Sequence, residues 1–489
     1  MKEIINYREN WWIVALFLPV LVLTIWMLGV TNLFIMGSIC IALLFLISVI
    51  SKSNTIALLL ILTPAFSQGI FSLMGIPTIV PRMCMELTIL LLLGKSLYLQ
   101  GIIKKAPIRA FGFLPMLGLF VVSLFSVYIN EEPIFPFLLF CRHIFIFYLL
   151  LVALLNLNIS ESTIKKINKY IVLLFLIQIP AAITKFVIIG QDEGAGVGTV
   201  SMQGGELSTI LPLFAIAFLF AFYLFKSKKK YIVFIIGFMI FGLIGEKRAL
   251  MFYIPLLLFL VYYLYTKQRR AKRIFSIRKA QMKYIFLILV ISFLGLYSAS
   301  KLIVTLNAEN EIGGSFDPKF LANKVITYNT WVLDNGKVFG RYAATIYTYR
   351  CLEKGGPINL LLGLGTGNMV ESSLIKGRQR VAFNRFGIRA GLTGFVWFAF
   401  QVGLLGTIFL CYLYLKLFKK VYMIYRGSSD PYFKSVALGF LGATFVLFLD
   451  FFTYSKTSMS SGVLTPVYFY IAAIILRHYY ICRSTTNIL

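Results

Sequence analysis

Histidine is nearly missing from this 489-residue chain, which has only two, His143 and His478. A histidine-rich metal centre is therefore excluded. The six cysteines (Cys40, Cys84, Cys141, Cys351, Cys411, Cys482) stand singly, with no CxxC pair. That removes a cysteine metal site, and since only Cys351 falls in the long polar segment described below, an outer disulfide framework is not expected. Acids are scarce as well: 18 Asp and Glu face 47 Lys and Arg, for a formal net charge of +29. No carboxylate cluster for a divalent cation stands out, and there is neither an internal repeat nor a low-complexity tract.

Apolar sequence is what the chain has in excess. It is 59% hydrophobic with a mean hydropathy of +0.87. The apolar residues come in runs of roughly 18 or more, the length that crosses about 30 Å of hydrocarbon. The fold class expected is an all-α polytopic membrane protein. The positive charge then reads as positive-inside topology, so membrane lipids are expected partners and nucleic acid is not. Behind Lys2, Glu3 and Arg8, the first run (Trp11 to Gly29) is long for a signal peptide and lacks a small-residue cleavage site, so it is expected to stay as a span.

About fourteen spans are expected, near 11–29, 33–50, 55–74, 78–99, 110–129, 134–156, 167–190, 207–225, 231–245, 249–266, 284–303, 394–415, 433–449 and 463–476. Cations mark the even gaps: Lys52; Lys95, Lys104, Lys105 and Arg109; Lys165, Lys166 and Lys169; Lys226 and Lys228 to Lys230; Lys416, Lys419, Lys420 and Arg426. The gap from Lys267 to Lys283 holds eight positive residues and no acid. Odd gaps carry Glu131 and Glu132, or Asp192, Glu193 and Glu206. This bias predicts both termini in the cytoplasm. Residues 1–300 then form eleven transmembrane helices, 301–393 a large extracytoplasmic loop with short amphipathic helices, and 394–489 the last three spans. Long loops translocate regardless of charge, and this one carries twelve cations and six acids. Within 318–354, Tyr342, Ile346 and Tyr349 form a helical stripe, expected on the membrane surface or over a cavity.

Ionisable residues inside spans are costly and mark function by default. Arg82 and Glu86 stand at i, i+4, Arg142 lies in the sixth span, Lys185 near the end of the seventh and Asp450 at the end of the thirteenth. Glu246, Lys247 and Arg248 occupy an outer turn. All fall in the outer half of the bilayer under this topology. The plain readings are an ion pair for Arg82–Glu86 and snorkelling for Lys185. The functional reading is an outward-facing basic cavity, and the ligand it suits is a lipid diphosphate, since the planar guanidinium fork binds phosphate oxygens in pairs. Lys376, Arg378, Arg380, Arg385 and Arg389 have no interleaved acid. They attract either anionic head groups or substrate, and Arg385 and Arg389 share a face if that segment is helical.

Four stretches in order resemble the superfamily of O-antigen polymerases (Wzy-type) and O-antigen ligases. Gly245 to Leu250 resembles the arginine that follows a span there, and Gly340-Arg341-Tyr342 the Gly-Arg that opens the helical part of the periplasmic loop. Pro357 to Asn368 is similar to the glycine-rich segment, although Gly363-Leu364-Gly365-Thr366-Gly367 also reads as a plain turn. Phe383-Asn384 and Gln401-Val402-Gly403-Leu404-Leu405-Gly406 resemble the His-Asn and Glu-x-Gly-Leu-x-Gly patterns, with both key residues changed. The resemblance implies a glycosyltransferase-C-like helical fold and an inverting, metal-independent transfer with no cofactor.

By that resemblance, Arg248 and Arg341 bind the diphosphate and are the catalytic candidates. Arg82, Arg142, Lys247, Asn384, Arg385 and Arg389 are the substrate-binding candidates. Phe383 in place of the ligase histidine leaves the general base open, with Glu371, Asp317, Asp334, Asp192 and Glu193 as candidates by position. The expected function is polymerisation of undecaprenyl-diphosphate-linked oligosaccharide repeat units, for O-antigen, capsule or exopolysaccharide, at the outer face of a bacterial inner membrane. A chain-length regulator is the implied protein partner. The rivals are a ligase and a lipid-linked oligosaccharide flippase, but a flippase needs no large outer loop.

Overall fold

The computed structural model describes residues 54–76, 78–105, 107–189, 197–202, 207–245, 248–270, 306–309, 311–333, 338–371, 385–388, 392–454 and 461–486, with single positions around 290–301 and at 459. The expected spans near 11–29 and 33–50, and most of that near 284–303, lie outside the described residues.

The described chain is built of helices. They are α1 (Asn54–Phe66), α2 (Gln68–Leu73), α3 (Ile79–Leu97, continued by a π turn over Tyr98–Ile103), α4 (Phe113–Ile129) and α5 (Ile134–Asn156). Next come α6 (Glu161–Leu176), α7 (Gln178–Ile189), α8 (Leu207–Lys226), α9 (Lys230–Ile244) and α10 (Arg248–Arg270). The later polar segment gives α11 (Pro318–Thr330), an antiparallel pair of two-residue strands (β1, Val332–Leu333; β2, Val338–Phe339), α12 (Arg341–Lys354) and α13 (Gly356–Leu362). The chain returns to long apolar helices in α14 (Gly394–Gly427), α15 (Pro431–Thr453) and α16 (Leu464–Thr486). Side-chain caps start several of them. Thr393 accepts from Val396 N, and the Asp-Pro pairs 317–318 and 430–431 each put a capping carboxylate before a proline in the first turn.

Among the described residues, six helices are long and apolar enough to cross a bilayer: Ile79–Ile103, Ile134–Asn156, Glu161–Ile188, Leu207–Lys226, Gly394–Gly427 and Pro431–Thr453. This is a membrane-embedded helical protein. Its surface agrees: α4 presents Phe113, Leu114, Leu117, Phe120, Leu124 and Phe125 outward, and α9 presents Ile232, Val233, Ile236 and Ile240. Apolar faces of that extent are rare on soluble monomers and stable against lipid. Inside, α15 packs on α8 and α10 through small residues, as membrane helices do. A methyl group added at Gly439 would meet Phe218 Cδ1 at 2.4 Å, and one at Gly442 would meet Val261 Cγ2 at 2.8 Å.

The segment expected to carry helical patterning over 318–354 is two helices separated by the strand pair. The Tyr342, Ile346, Tyr349 stripe of α12 faces outward, 36–61% exposed, while the opposite face of α12 packs on α14. The expected span near 394–415 extends to Gly427 and is broken at Gly403, which takes φ 63° and ψ −168° inside the helix.

Candidate functional site

One end of the bundle gathers the start of α3, the start of α5, the ends of α4 and α15, and the segment after α13. There, α3 and α5 bring together the charges that the sequence places in the membrane. Arg82 Nε donates to Glu86 Oε1 at 2.9 Å, and Arg142 Nε donates to Glu86 Oε2 at 2.5 Å. Glu86 is 7% exposed. The i, i+4 ion pair is therefore half of a three-residue cluster with two guanidinium groups on one carboxylate, carrying a formal charge of +1. Each arginine keeps its Nη2 buried without a hydrogen-bond partner. A buried unsatisfied donor costs about 1–3 kcal/mol, so both the charge and the open donors favour an anion at this cluster. His143 stands beside the pair, near both arginines. Its Nδ1 lies 2.7 Å from Leu139 O. A carbonyl only accepts, so Nδ1 carries a proton.

A second cationic centre lies where α12 begins. Gly340 precedes the helix with no room for a side chain: an added Cβ would lie 2.6 Å from Asn329 O. Arg341, the first helical residue, places its guanidinium 4.1 Å from the ring centre of Tyr454 and 5.0 Å from that of Tyr328. Stacking on ring faces leaves the in-plane N–H edge of arginine open for a planar anion. Tyr454 caps α15, one residue beyond Thr453, whose hydroxyl hydrogen-bonds that of Tyr253 on α10. Asp450, one turn earlier and 1% exposed, acts on the Tyr253 hydroxyl electrostatically, as do Arg341 and Tyr454. Tyr253, in the second turn of α10, and Arg341, at the start of α12, thus meet the same end of α15.

The glycine-rich segment is a buried turn wedged against the break in α14. Gly363, Gly365 and Gly367 take φ of 85°, 112° and 93°, a region that side chains other than glycine's rarely adopt. Leu364 N donates to Phe400 O at 2.8 Å, and Gly367 N donates to the Gln401 side-chain oxygen at 3.1 Å. Gln401 Nε2 donates to Trp397 O at 3.0 Å, while its backbone oxygen accepts from Ser126 at 2.8 Å and Thr366 at 3.2 Å. A methyl group on Gly403 would press on Leu361 O. The amide at 401 must donate and accept at once, which a carboxylate does only when protonated. On the other face of the turn, an added Cβ at Gly365 would meet the Glu132 side chain, and Glu132 Oε1 accepts from Arg385 Nη1 at 2.6 Å.

Among the expected site residues, the structure unites Arg82 with Arg142, sets Arg341 on two tyrosines and pairs Arg385 with Glu132. Of Arg248 it describes the backbone. Lys247, Asn384 and Arg389 lie outside the described residues, as do Glu246, Phe383, Lys376, Arg378, Arg380, Asp334, Asp192 and Glu193. Asp317 spends its carboxylate on the cap of α11, accepting from Lys319 N at 2.8 Å. Glu371 is exposed. Lys185 Nζ donates to Ser201 O at 2.7 Å, an anchored rather than a freely snorkelling side chain. Sequence reasoning gave His143 no role, because it weighed the histidines only as metal ligands and as the ligase base. It also missed Tyr253, Tyr328, Tyr454 and the Glu132–Arg385 pair, because partners far apart in the chain leave no spacing signal. No family model matches this chain, and no curated protein matches it.

Proposed function

We propose that this protein is a membrane glycosyltransferase that polymerises lipid-diphosphate-linked oligosaccharide repeat units, undecaprenyl diphosphate being the carrier that the O-antigen polymerase resemblance implies. The observation that carries the reading is Arg341, whose guanidinium lies over the rings of Tyr328 and Tyr454. This geometry suits an arginine that grips a diphosphate while aromatic surfaces remain for sugar rings. The finer topology belongs to the same proposal: fourteen spans, a periplasmic loop over 301–393, both termini in the cytoplasm, and the arginine-bearing end facing out of a bacterial inner membrane.

In the reaction, a hydroxyl of one repeat unit attacks the anomeric carbon of the growing glycan. The carbon–oxygen bond to the diphosphate breaks, the diphosphate departs with the electron pair, and the hydroxyl proton passes to a base. Arg341 stabilises the charge that develops on the leaving group. Arg248, at the start of the helix that carries Tyr253, is the second diphosphate arginine of the proposal. Arg82 and Arg142 offer a further anion contact. The test is elongation of lipid-linked repeat units by purified protein bearing Arg341→Lys or Arg341→Ala. Wild-type product from either variant removes Arg341 from the mechanism. A ligase would pass the glycan to a separate acceptor off the carrier, and a flippase gives no product in detergent.

A further inference from the structure

At the opposite end of the bundle, three cations from two separate parts of the chain line one cavity of about 270 Å³: Lys104 and Arg109 in the connection between the π turn and α4, and Arg477 in the second half of α16. Gln100, Asn156 and Asn158 supply its neutral polar wall, and among the described residues no acid lines it. Arg109 and Arg477 are like charges lining the same cavity, a placement that an anion between them would favour.

The chain holds them there with dedicated contacts. Asn156, 7% exposed, accepts from Arg109 N at 2.8 Å and donates to Arg109 O at 2.9 Å and Val152 O at 2.8 Å. A buried amide thus clamps both backbone groups of Arg109 to the end of α5. Arg477 donates through Nη1 to Leu157 O and through Nη2 to Asn158 Oδ1, the latter at 2.8 Å. Asn54 Nδ2 donates to Asn158 O at 3.1 Å, fixing the same corner. The Arg109 guanidinium lies 5.3 Å from the Tyr480 ring centre, which steadies it while its N–H edge stays open.

We infer that this cavity is a binding site for a phosphate group, held between Lys104, Arg109 and Arg477 at the bundle end away from the transferase candidates. Both a phospholipid head group and a soluble phosphate have this chemistry, and the concave shape distinguishes it from the diffuse attraction of a basic surface for anionic lipid. The site stands independently of the proposed reaction.

The test uses full-length protein in detergent micelles with two probes: dioleoylphosphatidylglycerol against dioleoylphosphatidylcholine, with retained lipid counted by native mass spectrometry, and inorganic phosphate read by thermal shift. Lys104→Gln and Arg109→Gln are the site variants. Lys104 is exposed, so its variant keeps the fold even if Arg109→Gln does not. Lys228→Gln, an exposed cation elsewhere, is the control. The site predicts about fivefold weaker binding in Lys104→Gln and none in Lys228→Gln. Preferential phosphatidylglycerol retention with no phosphate effect assigns the lipid source. A thermal shift by phosphate alone, lost in Lys104→Gln, assigns the soluble source. Equal weakening by Lys228→Gln, or no response to either probe, overturns the site.

Discussion

Arg341 is worth most at the scale of single residues because its surroundings separate charge from shape. Lysine keeps the charge but has neither the flat face that stacks on Tyr328 and Tyr454 nor the two-pronged edge. Arg341→Lys should lower the elongation rate by about 10²–10³-fold with insertion unchanged, measured as glycan length against time. Glu86 makes a contrasting case. Replacing it with alanine leaves the Arg82 and Arg142 charges facing each other without the shared carboxylate. Breaking a buried pair costs about 3–5 kcal/mol, so Glu86→Ala should unfold at a clearly lower temperature than wild type. An unchanged melting temperature would mean that the cluster is solvated. At this scale the sequence was half legible. The i, i+4 spacing announced Arg82–Glu86, but Arg142 joins the same carboxylate from a helix 56 positions away, which no local pattern encodes. Arg385 is the sharper case: it stands in a run without acids, and its partner Glu132 comes from the gap before α5.

Among the elements, α14 depends most on one position. Gly403 sits at φ 63°, ψ −168°, backbone territory that is essentially glycine's alone and costs about 1–3 kcal/mol for other residues. An added Cβ would also meet Leu361 O. Gly403→Ala should therefore destabilise by more than the conformational term alone, checked by thermal unfolding in detergent. Wild-type stability would show that the break in α14 is not required. Gln401→Glu tests the neighbouring contact network. Buried beside the Trp397 carbonyl, the new carboxyl is protonated more readily in the folded than in the unfolded state. Folding then takes up a proton, so stability falls as pH rises. The variant should melt at a higher temperature at pH 5 than at pH 8, and a wild-type pH profile would contradict the donor role of Gln401. Hydropathy alone located α5, α8 and α15 to within a few residues. The break at Gly403 was hidden because Gln401 to Gly406 is apolar enough to read as uninterrupted span. The π turn after α3 was hidden because it leaves hydropathy unchanged.

For the whole molecule, charge asymmetry predicts an orientation. Cations crowd the segment before α4, the junction of α8 and α9 and the last turns of α14, while Glu131 and Glu132 stand between α4 and α5, at the end expected outside. Reporters near Asn335 and Ser372 should be extracytoplasmic and one near Lys272 cytoplasmic. A cytoplasmic signal at Asn335 would put Arg341 on the wrong side for a translocated lipid-linked substrate. The most direct measurement is the product itself. Purified protein in detergent, given lipid-linked repeat units and a chelator, is predicted to lengthen them into multi-unit glycans still attached to lipid diphosphate. Elongation that stops on chelation would contradict the arginine-based mechanism. Folded protein that leaves its native repeat units unjoined would contradict the polymerase account.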